Sequence, residues 1–311
     1  MKCLVTGGAG FIGSNLVDAL VARGDDVRVF DNFSTGERSN LAGVARAIET
    51  VEGDLRDVEA VRAACRGRDV VFHLAAMPSV PRSIEDPATS FDVNVRGTFH
   101  VFAAAREAGV TRVVYSASSS AYGDTPTLPK IESMPPAPKS PYAADKLYGE
   151  TLCRVYSGVY GMECAALRYF NIFGPRQRPD SAYAAVIPRF VDAFRRGERP
   201  TIYGDGEQSR DFTFVANAVR ANLLAAERDG LGGRVFNVGN GVRTTLNELL
   251  RVIAVEMGTK PDARYEPERA GDVKHSLADI GLARRELGYQ PAVSLEEGLK
   301  ATVAWFRAAG R

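Results

Sequence analysis

Tyr142 and Lys146 stand four residues apart in Ser140-Pro141-Tyr142-Ala143-Ala144-Asp145-Lys146. Pro141 suits the first position of a helix, so the two side chains are expected on one helical face. A phenol ordinarily ionises near pH 10, too high for a base at neutrality. An ammonium beside it favours the phenolate, and roughly 4 kcal/mol of such stabilisation would bring it into the neutral range. The pair could then take a proton from an alcohol. Ser118 lies in Ser116-Ala117-Ser118-Ser119-Ser120-Ala121-Tyr122-Gly123, directly after an apolar run. A hydroxyl there can bond an oxygen that alternates between alcohol and ketone. The Tyr-x-x-x-Lys spacing is common by chance and serine-rich loops are often plain turns. The three residues therefore gain weight only beside a site for an electron acceptor.

The N-terminus supplies one. Gly7-Gly8-Ala9-Gly10-Phe11-Ile12-Gly13 places glycines at 7, 10 and 13 between a strand-like run and an amphipathic segment. Glycine allows the tight turn, and the helix opening at Phe11 and Ile12 presents backbone amides to a pyrophosphate. Asp31 closes the next apolar run, in Val27-Arg28-Val29-Phe30-Asp31-Asn32, at the spacing of a carboxylate that bonds ribose hydroxyls. It would repel a 2′-phosphate, so NAD is expected rather than NADP. Its cationic nicotinamide ring would add to Lys146 in favouring the Tyr142 phenolate. Asp54 and Leu55, in Gly53-Asp54-Leu55, fall where the adenine edge would lie. Leu74-Ala75-Ala76 puts small residues where a cofactor would rest on the backbone. The glycine-rich turn, Asp31, Ser118 and the Tyr142–Lys146 pair come in the order that such a site requires.

These residues need a scaffold that brings strand ends together. Strands are predicted at Lys2–Thr6, Asp26–Phe30, Ala47–Val51, Val70–Leu74, Arg112–Ser116 and Cys164–Tyr169. Helices are predicted between them at Ile12–Arg23, Val58–Cys65, Ala88–Ala108 and Pro141–Tyr160. Such alternation implies an α/β fold, a Rossmann-type doubly wound parallel sheet covered on both faces. The second half has proline and glycine clusters, helices at Val186–Arg196, Val215–Glu227, Thr245–Glu256 and Leu295–Ala308, and a strand, Val235–Val238, that returns to the main sheet. The expected division is a NAD-binding domain of residues 1–170 with about 211–240, and a smaller, interleaved α/β substrate domain of 171–210 and 241–311.

The bulk properties narrow the partners. With 39 basic and 38 acidic residues in 311, the formal charge is +1, so no basic excess is present for nucleic acid. No apolar run approaches the ~18 residues of a membrane span. Cys3, Cys65, Cys153 and Cys164 match neither a zinc nor a redox spacing, and His73, His100 and His275 are scattered. The expectation is reduced, buried thiols, no metal and a cytoplasmic location.

The sequence resembles the extended short-chain dehydrogenase/reductase family over essentially its whole length. Within that family it is most similar to the UDP-glucose and UDP-N-acetylglucosamine 4-epimerases. The closer likeness rests on Arg168-Tyr169-Phe170-Asn171-Ile172-Phe173-Gly174-Pro175-Arg176-Gln177, on Ala184-Ala185-Val186-Ile187-Pro188, and on Gly204-Asp205-Gly206-Glu207-Gln208-Ser209-Arg210-Asp211-Phe212. The resemblance implies NAD as cofactor, with Asn32, Asn94 and Tyr169 joining the cofactor site. It implies that Asn171 touches the diphosphate-sugar and that Ala185, Val186 and Tyr203 hold the uracil. Arg210 and Arg269 would clamp the diphosphate, as guanidinium groups suit phosphate oxygens. Asp272 would sit near the ribose.

Related 4,6-dehydratases and UDP-glucuronate decarboxylases carry an acidic residue just after the catalytic serine or threonine. Here the positions are Ser119 and Ser120, which weighs against both. A UDP-glucuronate 4-epimerase and a non-catalytic NAD(H)-sensing protein remain as alternatives, the second weakened by the presence of Ser118, Tyr142 and Lys146. Apolar residues on more than one helical face, among them Phe99, Val101, Phe102, Leu147, Leu152, Val155 and Tyr156, suggest burial on a second side. Relatives pair these helices in an intersubunit four-helix bundle, so a homodimer is expected. Alignment also puts Ser276 at the wall beside the sugar C2 substituent, where a small residue would admit N-acetylated sugars. The alternative is that Ser276 begins a helix near Ala278-Asp279 and faces solvent.

Overall fold

The computed structural model describes residues 1–179, 185–268 and 274–308. Its apolar, β-branched runs form strands β1 (Lys2–Thr6), β2 (Asp26–Asp31), β3 (Ile48–Glu52), β4 (Val70–His73), β5 (Arg112–Ser118) and β6 (Glu163–Tyr169), with Arg234–Val238 as a seventh. They make one parallel sheet in the order seventh–β6–β5–β4–β1–β2–β3. The chain leaves β1 toward β2 and β3, then returns to β4 on the other side. That reversal opens a crevice at the carboxyl ends of β1 and β4, where ligands bind in such sheets.

Among the described residues the α-helices are α1 (Phe11–Ala22), α2 (Val58–Cys65), α3 (Val80–Glu85), α4 (Pro87–Phe91), α5 (Gly97–Glu107), α6 (Pro141–Tyr160), α7 (Val186–Arg195), α8 (Val215–Glu227), α9 (Leu246–Met257) and α10 (Leu295–Ala308). Leu16, Val17 and Leu20 of α1 and Ala218, Ala221 and Ala225 of α8 bury against one face of the sheet. Val61 and Cys65 of α2, Val101 and Phe102 of α5 and Leu152 and Tyr156 of α6 cover the other. A third apolar cluster lies apart from the sheet. It joins Phe173, Ile187, Phe190, Ile202, Phe212, Leu249, Ile253, Leu299 and Phe306, and is built largely by α7, α9 and α10. Each such side chain contributes about 1.5–3 kcal/mol by leaving water.

The helix expected over Ala88–Ala108 is broken in register. Between α4 and α5 the backbone makes a five-residue π turn, Asp92–Arg96. The turn aims Asn94 inward, where its Oδ1 accepts the Met77 amide (2.7 Å) and its Nδ2 donates to the Met77 carbonyl (3.2 Å). The extra residue in the turn thus secures the chain leaving β4. The third strand begins one residue later than Ala47–Val51, and no helix forms at Ala278-Asp279.

Candidate active site

The glycine-rich turn joins β1 to α1 with little room to spare. Gly7 has φ +70°, and a Cβ on Gly13 would sit 2.1 Å from the Gly7 carbonyl oxygen. Gly10 caps α1 without a side-chain bond, so the amides of its first turn have no intrahelical partner. Asp31 accepts the Ala9 amide (2.9 Å) on one oxygen and the Phe33 amide (2.8 Å) on the other. The carboxylate thus fixes the glycine turn while facing the crevice. Burial pushes its pKa up, and the two amides oppose that shift. Asn32 Nδ2 donates to Asp54 (2.9 Å), and Arg56 beside Asp54 holds that carboxyl far below its usual range.

The crevice holds about 570 Å³. Gly7, Gly10, Phe11, Ile12, Gly13, Asp31, Asn32, Asp54, Leu55, Leu74, Ala75 and Ala76 line one end. Ser118, Tyr142, Lys146, Tyr169 and Asn171 line the other. Open amides at a helix N-terminus, a close-packed glycine turn and a ribose-distance carboxylate together suit a dinucleotide such as NAD.

Ser118 ends β5 and Tyr142 stands in the first turn of α6, whose N-cap Ser140 accepts the Ala143 amide (3.2 Å). The Tyr142 amide donates to Ser83 Oγ (3.1 Å), which ties α6 to α3. Ser118 Oγ accepts from the Ser120 amide (3.2 Å) and hydroxyl (2.8 Å), leaving its own proton for the hydrogen bond to the Tyr142 phenol. Lys146 Nζ lies 4.6 Å from the centre of the Tyr115 ring. Burial pulls its pKa down to about 8, opposed by Glu150 and Asp145. Glu150 is itself in a buried bidentate pair with Arg168 (2.8 and 2.7 Å).

The protein's own charges do not lower the Tyr142 pKa. Burial raises it, and only the Ser118 hydroxyl acts in the opposite sense. The Lys146 ammonium faces the Tyr115 ring and is itself pulled down by burial.

The substrate residues expected from the resemblance lie less close together. Asn171, at φ +39°, donates to the Asp211 carbonyl (3.0 Å) and to Ser276 Oγ (3.2 Å), so Ser276 adjoins the crevice and is half-buried. Arg210 Nη1 donates to the carbonyls of Ser209 and Lys274 (3.0 Å each). The Tyr203 ring has the Arg189 guanidinium over it at 5.8 Å. Ala185 caps α7 and Val186 begins it. None of Ala185, Val186, Tyr203, Arg210 and Ser276 lines the crevice itself, and Asn94 stands behind Met77. Arg269 and Asp272 lie outside the described residues.

The sequence reading missed Met77, Pro78, Arg82, Thr89 and Val93, which also line the crevice, as do Ser116 and Gln177. One backbone signal marks the region. Among the described residues, the non-glycine positive φ values fall at Phe33, Ser79, Asn171 and Arg176, each in or next to the crevice lining. Strain of this kind gathers at functional sites.

The sheet, the crevice at its switch point and the Ser–Tyr–Lys trio define an α/β enzyme built around a dinucleotide. The chain belongs to the NAD dependent epimerase/dehydratase family, whose model matches residues 3–239. It is 42% identical to UDP-glucose 4-epimerase of Mycolicibacterium smegmatis over 99% of each chain. Among solved structures it resembles UDP-N-acetylglucosamine 4-epimerase of Methanobrevibacter ruminantium, with a TM-score of 0.95, 41% identity and coverage of 99% of this chain and 98% of that one. It resembles UDP-glucose 4-epimerase of Thermotoga maritima, solved with UDP-glucose, equally well, with a TM-score of 0.95 and 39% identity over 100% of both chains.

Proposed function

We propose that the chain is an NAD-dependent UDP-hexose 4-epimerase. It inverts C4 of UDP-glucose and UDP-galactose, and of their N-acetylated forms, through a transient 4-keto sugar. The observation that carries this reading is the Ser118–Tyr142–Lys146 cluster at the open end of a dinucleotide crevice, with serines at 119 and 120 where dehydration or decarboxylation chemistry uses a carboxylate. Tyr142 takes the O4 proton, Ser118 holds O4, and Lys146 keeps the phenolate in place. NAD held along the glycine turn and Asp31 would supply the acceptor and donor of hydride at C4, and its ring charge would favour the Tyr142 phenolate. Asn171, Arg210, Arg269 and Tyr203 anchor the UDP while the sugar turns.

The third apolar cluster supports a substrate domain of 171–210 and 241–311 set against a NAD domain of 1–170 with about 211–240. We also propose a homodimer through α5 and α6. Val101, Phe102, Leu152 and Tyr156 are spent inside the subunit, but Phe99 (46% exposed), Val155 (44%), Val159 (68%) and Tyr160 (47%) form an outward apolar face. A scattering mass of 33.6 kDa at micromolar concentration would exclude the dimer. Among the described residues no helix is long and apolar enough to cross a membrane. The four cysteines, all buried and free, favour a reducing cytoplasm.

The test is conversion of UDP-galactose by purified protein without added cofactor, followed by NMR. UDP-glucose is the expected product. A 4-keto-6-deoxy or decarboxylated product alone would overturn the reading.

A further inference from the structure

Asp211 is fully buried, next to Arg210, and lies outside the crevice. Its Oδ1 accepts the amide of Asn240 (2.7 Å), and its Oδ2 accepts those of Gly241 (3.0 Å) and Ala278 (3.1 Å). Its backbone carbonyl accepts from Asn171 Nδ2 (3.0 Å), the same group that bonds Ser276 Oγ. Chain segments far apart in sequence therefore meet on one residue. They are the end of the seventh strand with its following turn, the stretch carrying Ser276, the short strand Ser209–Arg210, and the turn after β6.

We propose that Asp211 is a positioning residue for the nucleotide-sugar site, its carboxylate clamping the segments that carry Asn171, Arg210 and Ser276 into one wall. The inference rests on the reading of those three residues as substrate contacts given above. A carboxylate suits the task because it accepts three amides at once. A carboxamide of the same shape would turn one of its acceptors into a donor facing an N–H.

The groups around Asp211 decide its response to pH. Tyr289, whose hydroxyl donates to the Gly239 carbonyl (2.9 Å), stays neutral. His275, bonded to Ser209 Oγ (2.8 Å), is held below its usual range by burial and by Arg243, Lys274 and Arg210. Burial raises Asp211 to about 6 against the pull of its three amides. Its folded pKa lies above the unfolded value, so the native state takes up this proton first and the fold loses no stability through it on acidification. A proton on either oxygen turns an acceptor into a donor facing an N–H and weakens the clamp. Substrate affinity should therefore fall below about pH 6. Protonation of His275 would add positive charge near the diphosphate and act in the opposite sense.

The experiment measures KM and kcat for UDP-galactose in wild type, Asp211→Asn and Gly239→Ala, with UDP binding followed by calorimetry at pH 8. A Cβ at Gly239 would lie 2.6 Å from Ala278 Cβ and 2.8 Å from Asp211 Oδ2, so this variant forces the clamp open and leaves the carboxylate intact. Both variants should raise KM about 10-fold or more with kcat within about 3-fold and bound NAD unchanged. Wild-type KM should climb below about pH 6, and that rise should be absent in Asp211→Asn. Should Asp211→Asn fail to fold, Gly239→Ala and the wild-type profile still decide. KM within about 2-fold of wild type in the folded variants, or a loss confined to kcat, overturns the inference. Wild-type protein that neither binds UDP nor converts UDP-galactose would instead overturn the functional reading.

Discussion

The two ends of the crevice are built in opposite ways. The dinucleotide end is local: one seven-residue turn, the carboxylate that ends the next strand, and a sheet whose strands are paired directly. The end proposed for the nucleotide-sugar would draw on residues near 171, 185, 203, 210 and 276, of which Asn171 alone lines the crevice, and the Asn171 and Arg210 side chains tie several of these segments together. A local site concentrates its vulnerability in single residues. A dispersed site spreads it, so that substitutions there should tune selectivity and affinity before they abolish anything.

The largest effect should come at the junction of the two ends. Tyr142→Phe removes the proton acceptor and should lower kcat on the order of 10³-fold, with NAD retained and the melting temperature little changed. Steady-state rates with cofactor content and a melting curve check this. Loss of NAD along with activity would show that Tyr142 supports the local end instead.

Gly13→Ala tests the local end directly. The added methyl has no place beside the Gly7 carbonyl, so bound NAD should fall about tenfold or more after purification. The third apolar cluster is untouched, and UDP should still bind by calorimetry. Simultaneous loss of UDP binding would break the contrast, since it would make the two ends one unit.

Ser276→Tyr is the matching test of the dispersed end. The ring would fill space next to Asn171 and cost about 1–3 kcal/mol to an acetamido sugar, a selective loss of about 5- to 150-fold on the N-acetylated substrate. UDP-galactose turnover should persist. Equal losses on both sugars would place the C2 wall elsewhere.

The smallest effect is on stability. His73 on β4 is fully buried between Thr6 Oγ1 (2.7 Å) and Thr98 Oγ1 (3.0 Å), and burial lowers its pKa to about 3. The unfolded chain protonates this histidine below about pH 6.5 and the native state does not. Its contribution is complete above that pH and is lost as pH falls toward 3. Between pH 6.5 and 5 the loss should approach about 2 kcal/mol in urea unfolding, and His73→Gln should flatten that slope. An unchanged slope would mean that other groups govern acid sensitivity.

The same contrast governs what could be read from the sequence. The glycine turn, Asp31 and the Tyr142–Lys146 spacing are short-range patterns whose geometry follows from strand and helix periods. Val58–Cys65, Pro141–Tyr160 and Val215–Glu227 form over the expected residues for the same reason. Met77, Pro78, Arg82 and Thr89 carry no such pattern, because their place depends on Asn94 reaching back across the chain to Met77. Asp211 stands out in the sequence only as part of a motif, since its partners at 240, 241 and 278 are invisible to spacing. That burial raises the Tyr142 phenol was not legible either, because a period tells which groups share a face, not how dry that face is.

The π turn at Asp92–Arg96 gives chain length itself a meaning. A π turn takes up about one residue more than an α turn, so deleting one residue here would let an ordinary α turn close with α4 and α5 keeping their faces. Asn94 would lose its inward aim and its two bonds to Met77, although composition and hydrophobicity would hardly differ. Two chains that differ by that one residue could share every lining residue type and still present different walls to the ligand.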